Sequence, residues 1–160
     1  MPTYQAGGQT AFNAKQGKGH ITGTRRVSGL FTIGTDNSAT LANNDVLQMV
    51  KIPAGAKIVD MYLACSDIDS GANTITLDIG DSDDVDRFFD GSTLAQAGGH
   101  FGTSAQARLG ANITAANFFA NPCCKLFTVA DTIDILLLTI GTAATTGFIQ
   151  LDVEYTFDTV

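Results

Sequence analysis

The sequence predicts an all-β fold: an antiparallel β-sandwich, jelly-roll-like, carrying an extended N-terminal arm. Three observations carry that expectation. The acids are 15 Asp and a single Glu, Glu154, alongside 20 Thr and 17 Gly, while the Glu, Lys and Arg that surface helices prefer are scarce. Asp and Gly favour turns and Thr favours strands. Short runs of alternating apolar and polar residues recur between clusters of turn formers, as half-buried strands require. Finally, 160 residues with 44% apolar content suffice for one domain with a real core and are too few for two ordinary ones.

The expected division is an arm over residues 1–24 and a sandwich over residues 25–160. The arm is rich in Gly, Gln, Ala and Lys, with isolated Tyr4 and Phe12, and no period of 2 or 3.6 organises it. Fraying would account for it. So would an arm that orders only on a neighbouring subunit.

Strands are expected over Val27–Ile33, Val46–Ile52, Lys57–Cys65 and Thr74–Ile79. In the third, Val59, Met61, Leu63 and Cys65 share one face, with Ile58, Asp60 and Tyr62 on the other. In the fourth, Ile75, Leu77 and Ile79 point inward and Thr74, Thr76 and Asp78 outward. Asp81–Gly91 reads as an acidic turn region. Ser92–Gly99 and Ala115–Asn121 each suit one short helical turn, with a further strand over Ala105–Ile113. Thr132–Ile140 is apolar on both faces, which marks a central strand or an oligomer contact. Phe148–Phe157 alternates strictly, with Ile149, Leu151, Val153, Tyr155 and Phe157 on one side. Seven or eight such strands indicate a sandwich or barrel, with the jelly roll preferred.

Composition excludes several classes of function. The net charge is −7, against the clustered Lys and Arg that phosphate contacts need, so no direct nucleic-acid partner is expected. The longest strictly aliphatic run, Ile135–Leu138, is far short of the roughly 20 residues of a membrane span, and no membrane partner is expected. Met1–Gly8 shows no basic stretch followed by an apolar one, so no signal peptide is expected. Cys65, Cys123 and Cys124 form no spaced pairs, and no His or third Cys stands at finger spacing; they read as free thiols made in a reducing cytoplasm.

Candidate chemistry is thin. Asp81, Asp83, Asp84, Asp86 and Asp90 form the densest acidic cluster, and Asp67, Asp69 and Gly71 a smaller turn. An EF-hand loop counted from Asp81 would place Gly and Glu where Asp86 and Ser92 stand. Solvated Asp turns bonding backbone amides are the expectation, with no metal and no cofactor. His20 and His100 are the only histidines. Ser104 lies near His100, but no nucleophile elbow frames either, so no catalytic residue is expected. Lys15, Lys18, Arg25 and Arg26 gather at the front of an acidic chain, an asymmetry that steers the arm toward acidic surfaces or is simply a solvated tail.

The segments Ile52-Pro-Ala-Gly-Ala-Lys-Ile-Val-Asp-Met-Tyr-Leu-Ala and Leu77-Asp-Ile-Gly-Asp-Ser-Asp-Asp-Val-Asp-Arg-Phe together resemble small structural proteins from the head-gene region of tailed bacteriophages. The resemblance spans about Val46 to Phe89 and extends more weakly to the last strand. It implies a capsid decoration or cement protein with a jelly-roll-like sandwich: a homotrimer on the outer capsid surface of the virion, bridging subunits of the major capsid protein, with no enzymatic activity. On that reading Tyr4, Phe12, Lys15, Lys18, Arg25 and Arg26 are the candidate capsid-binding residues. A head-fibre base or tail accessory protein is the first rival. A carbohydrate-binding module is the second, disfavoured because the chain has no Trp and only three Tyr for stacking on sugars.

Overall fold

The structure, a computed structural model, describes residues 2–7, 24–37, 40–69, 71, 74–102, 125–140 and 146–157. The expected features at Ala105–Ile113 and Ala115–Asn121 lie outside the described residues. In chain order the strands are β1 (Thr3–Gln5), β2 (Arg25–Ile33), β3 (Val46–Ile52), β4 (Ala56–Cys65), β5 (Thr76–Asp81), β6 (Asp84–Ser92), β7 (Gly99–Gly102), β8 (Asp131–Thr139) and β9 (Gly147–Phe157). One 3-10 turn, Leu94–Gln96, falls inside the stretch expected to hold a helical turn.

Two sheets face each other, ordered β1-β3-β8-β5-β6 and β2-β9-β4-β7. The antiparallel pairs β2 with β9, β3 with β8, β4 with β7 and β5 with β6 are nested one inside the next. Such nesting, folded over so that its members are shared between two sheets, is the double Greek key of an eight-stranded jelly roll. The predicted topology is therefore the one observed. β1 stands outside the eight strands, and Thr3–Gln5, which the sequence places in the arm, pairs parallel with β3.

The core lies between the sheets. Phe31 from β2, Leu47 and Met49 from β3, Leu63 from β4, Leu77 from β5, Ile133, Ile135 and Leu137 from β8, and Leu151 and Val153 from β9 are fully buried. Burying one such side chain contributes roughly 1.5–3 kcal/mol, and alternation along each strand delivers a side chain to the interior at every second position. β8 is the middle strand of its sheet. Its second apolar face is real: Leu136 is buried as well, opposite Val46 and Asp78 on the outer side.

Between β3 and β4 the chain reverses at Pro53-Ala54-Gly55. The Ala56 amide donates to the Pro53 carbonyl at 3.2 Å, and Gly55 sits at φ +83°, a conformation that a Cβ penalises.

Three sequence expectations need correction. In β4 the pairing with β9 shifts between Ile58 and Asp60. This bulge inserts one extra residue and inverts the parity before it. Ile58 is therefore buried and Val59 exposed, the reverse of the expected assignment, while Met61, Leu63 and Cys65 are buried as expected. The acidic stretch taken as a turn region is strand β6. Its polar sequence suits an edge strand, where charge discourages further pairing. Asp78 is on the face away from Leu77 but is buried, accepting a 2.8 Å bond from the Gly91 amide.

Candidate interaction surface

The six candidate binding residues do not converge on one place. Tyr4 is half-buried on β1, with its ring 6.2 Å from that of Phe31. Phe12, Lys15 and Lys18 lie outside the described residues. Arg25 and Arg26 open β2 and, as strand neighbours, point to opposite faces. Arg25 stands opposite Tyr155, and its guanidinium lies 5.2 Å from the centre of the Phe157 ring. Arg26 projects from the outer face of the four-stranded sheet.

That face has a definite chemistry. The register places Arg26, Ser28 and Leu30 of β2 opposite Glu154, Asp152 and Gln150 of β9. Asp60 and Tyr62 of β4 lie on the far side of Glu154 and Asp152. Arg26 forms an ion pair with Asp152, and Gln150 Nε2 donates to the same carboxylate at 3.3 Å. Asp152 is almost fully buried beneath these neighbours. Burial pushes its carboxyl up, but the bonds from Ser28, Arg26 and Gln150 outweigh that and hold it below the ordinary carboxylate range. Asp152 is thus a fixed anion that orients Arg26, not a proton donor.

Beside it the Tyr62 ring stacks on His100 of β7, with centres 5.7 Å apart and planes 25° from parallel. A shallow cavity of about 370 Å³ opens between Tyr62, Arg26, Asp60, Met61, Asp152 and Glu154. Leu30, Tyr62 and Phe148 remain 38–40% exposed on this same face. Exposed aromatic and aliphatic groups among paired charges are the composition of a protein interface more than of an inert surface. Sequence alternation places Tyr62 outward. Its partnership with His100 is invisible in sequence, because it depends on β7 being a strand.

The acidic turns are committed internally. Asp69 accepts the amides of Gly71, Thr74 and Ile75 at 3.3, 2.5 and 2.8 Å, which holds its carboxyl below its ordinary range. Asp81 accepts the amides of Asp83 and Asp84 at 3.1 Å each and pairs with Arg87 Nε at 2.7 Å and Lys125 Nζ at 3.1 Å. The bonding to backbone amides is what the sequence leads one to expect here, but Asp69 and Asp81 are buried and not solvated. Among the described residues no group of three or more His, Cys, Asp or Glu side chains is placed to hold a metal ion. Cys65 is buried in the core, and that burial pushes its thiol up to about 12. Cys123, Cys124, His20 and Ser104 lie outside the described residues. Among the described residues no helix is long and apolar enough to cross a membrane.

No protein-family model matches the sequence, and no curated protein matches it significantly. Solved structures do. The chain superposes on one from the capsid of Ralstonia phage GP4 with a TM-score of 0.70 and 20% identity, covering 99% of both chains. A chain of the cyanophage Pam1 capsid asymmetric unit matches with a TM-score of 0.58 and 19% identity, over 91% of this chain and 94% of that one. A chain of the acid-stable capsid of Helicobacter pylori bacteriophage KHP30 matches at 0.51 and 16% identity, over 86% and 95%. At these identities what is shared is the fold: nearly end to end, this jelly roll is one that also occurs in chains of phage capsids.

Proposed function

We propose that this protein is a structural component of a phage virion that decorates the outer capsid surface and stabilises it by bridging major capsid subunits, acting as a homotrimer and without enzymatic activity. The observation that carries the proposal is the near-complete overlap, in both directions, with a chain from the capsid of a phage. The match covers 99% of this chain and 99% of that one, and the described strands form one jelly roll. The interior is packed with apolar side chains, and its buried aspartates are tied into turns and ion pairs. This is the physical character of a building block.

A cement protein works through added interface. A specific contact buries roughly 1,200–2,000 Å² in total. Modest contacts repeated around a shell then reinforce one another by multivalency. On this reading Phe12, Lys15 and Lys18 of the arm anchor to the capsid, with Tyr4, Arg25 and Arg26 at the points where the arm meets the two sheets. The face bearing Arg26, Tyr62 and Phe148 supplies a second surface for a neighbouring subunit.

Cryo-electron microscopy of the intact virion tests the reading. Density for this chain at hundreds of sites on the outer shell, as trimers between capsomers, is the expected result. A few copies at a unique vertex or on the tail would move the protein to the head-fibre or tail accessory class, and absence from the particle would overturn a virion role.

A further inference from the structure

β1 is the one described strand that the jelly roll does not need. It adds to the edge that β3 would otherwise expose, pairing Thr3 with Val46, Tyr4 with Leu47 and Gln5 with Gln48. The Val46 amide donates to the Pro2 carbonyl at 3.2 Å and the Ala6 amide to the Gln48 carbonyl at 3.1 Å. The Tyr4 ring tilts at 58° against Phe31, and Ala6 is 4% exposed. Gly7 fits closely against Asp36, where a Cβ would come within 2.3 Å of Oδ1. Together these contacts form a groove that reads an extended peptide by its main chain, one aromatic ring and two small residues. This is strand addition to a sheet edge, with a pocket for the alternate side chain.

Nothing in the groove depends on which chain supplies the strand. The next described strand, β2, begins at Arg25 in the other sheet, and sixteen positions of sequence, residues 8–23, join Gly7 to Thr24. Fully extended, sixteen residues reach roughly 50 Å. Closing so long a connection onto a three-residue parallel pairing costs entropy and returns few hydrogen bonds. Residues 1–24 also hold Lys15 and Lys18 and no acid, while the chain as a whole carries −7, so the segment is attracted to the body of another copy as well as to its own.

We propose that the β3 edge is an acceptor groove for the N-terminal strand of a second copy of this chain, so that β1 is exchanged between subunits in the assembled oligomer. Exchange of an identical element needs no new interface chemistry, because the contacts already satisfied within one chain are re-formed between two.

The test uses the full-length protein with one substitution per chain. Gln5→Cys is made in one preparation and Gln48→Cys in another, both at partly exposed positions, and the two are refolded together and oxidised. The expected result is a disulfide joining positions 5 and 48, found by peptide mass in a covalent dimer that forms only in the mixture. The register pair Thr3→Cys with Val46→Cys gives the same result independently. If chains carrying both substitutions link positions 5 and 48 only within themselves, and the mixtures yield no such dimer, the exchange is overturned. The experiment needs no capsid, so its failure leaves the virion reading standing, and absence from the virion would leave the exchange standing.

Discussion

Gly29 of β2 lies directly against the backbone of Met49 in β3, so that a Cβ at Gly29 would stand 2.0 Å from the Met49 carbonyl oxygen. These strands belong to opposite sheets, and the missing side chain lets the sheets approach at this corner of the sandwich. The obstacle is main chain and cannot rotate away. Gly29→Ala is therefore expected to cost at least about 3 kcal/mol, the upper end of the usual overpacking range, measured as a lower midpoint in chemical denaturation. A variant that unfolds at the parent midpoint would mean that the sheets separate freely here.

Asp81 is the electrostatic knot of the other end. Its side chain is fully buried, while Arg87 and Lys125 are 26% and 19% exposed. Burial pushes its carboxyl up, but Lys125 and Arg87 overcome that and hold it below the ordinary range. A carboxyl depressed in the folded state stabilises the fold above its unfolded value, near pH 4, and that contribution is lost as the pH falls through the folded value. Asp81→Asn removes the buried anion shared by the two cations and leaves Arg87 only the longer pairing with Asp84 at 3.8 Å and Lys125 only that with Asp83 at 3.6 Å. Because both reach solvent, the expected loss at pH 7 is about 2 kcal/mol, below the 3–5 seen for fully buried pairs. It should shrink below pH 4. A pH series of urea melts on both proteins reads this out.

These two features show what the sequence does and does not disclose. Alternation along β9 predicts its faces correctly from Ile149 to Tyr155, because a regular antiparallel strand keeps a period of 2. The same rule fails at Val59, since a bulge is a property of the pairing between β4 and β9 and leaves no mark on either strand alone. β6 is missed because Asp84, Asp86 and Asp90 look like turn residues. They are tolerated in a strand because it is an edge. The candidate surface is only half legible. Arg26 stands out as a front-end cation, but its partner Asp152 is 126 positions away, and only the closure of the roll, which sets β2 beside β9, brings them together.

Asp134 gives a pH effect of opposite sign. It stands on the outer side of β8 between Gln48 and Gly80, and its Oδ1 is buried without a hydrogen-bond partner. Burial pushes its carboxyl up to about 6, with Asp131 and Asp81 adding to the rise and a bond from Thr132 partly offsetting it. The folded state therefore binds this proton more tightly than the unfolded state. The charged form costs stability above pH 6, and that cost is relieved as the pH falls from 6 toward 4. Asp134→Asn is expected to stabilise the protein at pH 7.5 by on the order of 1 kcal/mol, discounted for partial solvent access, with the gain gone by about pH 4. Thermal melts at the two pH values decide it. A variant less stable than the parent at pH 7.5 would mean that the carboxylate has a favourable role in the folded protein.

The arm can be tested without disturbing the fold, provided the residues docked on β3 are left alone. Removing residues 1–24 would also remove Tyr4 from Phe31 and expose the β3 edge, so loss of binding would be ambiguous. Lys15→Glu with Lys18→Glu changes the charge of the segment from +2 to −2, the Lys count being read directly from the sequence. The expected outcome is an unchanged melting temperature and roughly tenfold weaker attachment to capsids stripped of this protein, which is what two modest surface ion pairs supply. Raising the salt concentration should weaken the parent and leave the variant nearly unaffected, because screening acts on an attraction that the variant no longer has. Attachment at parental strength and with parental salt dependence would show that the capsid is held by another surface, and the sheet face around Arg26 and Tyr62 would be the next to substitute.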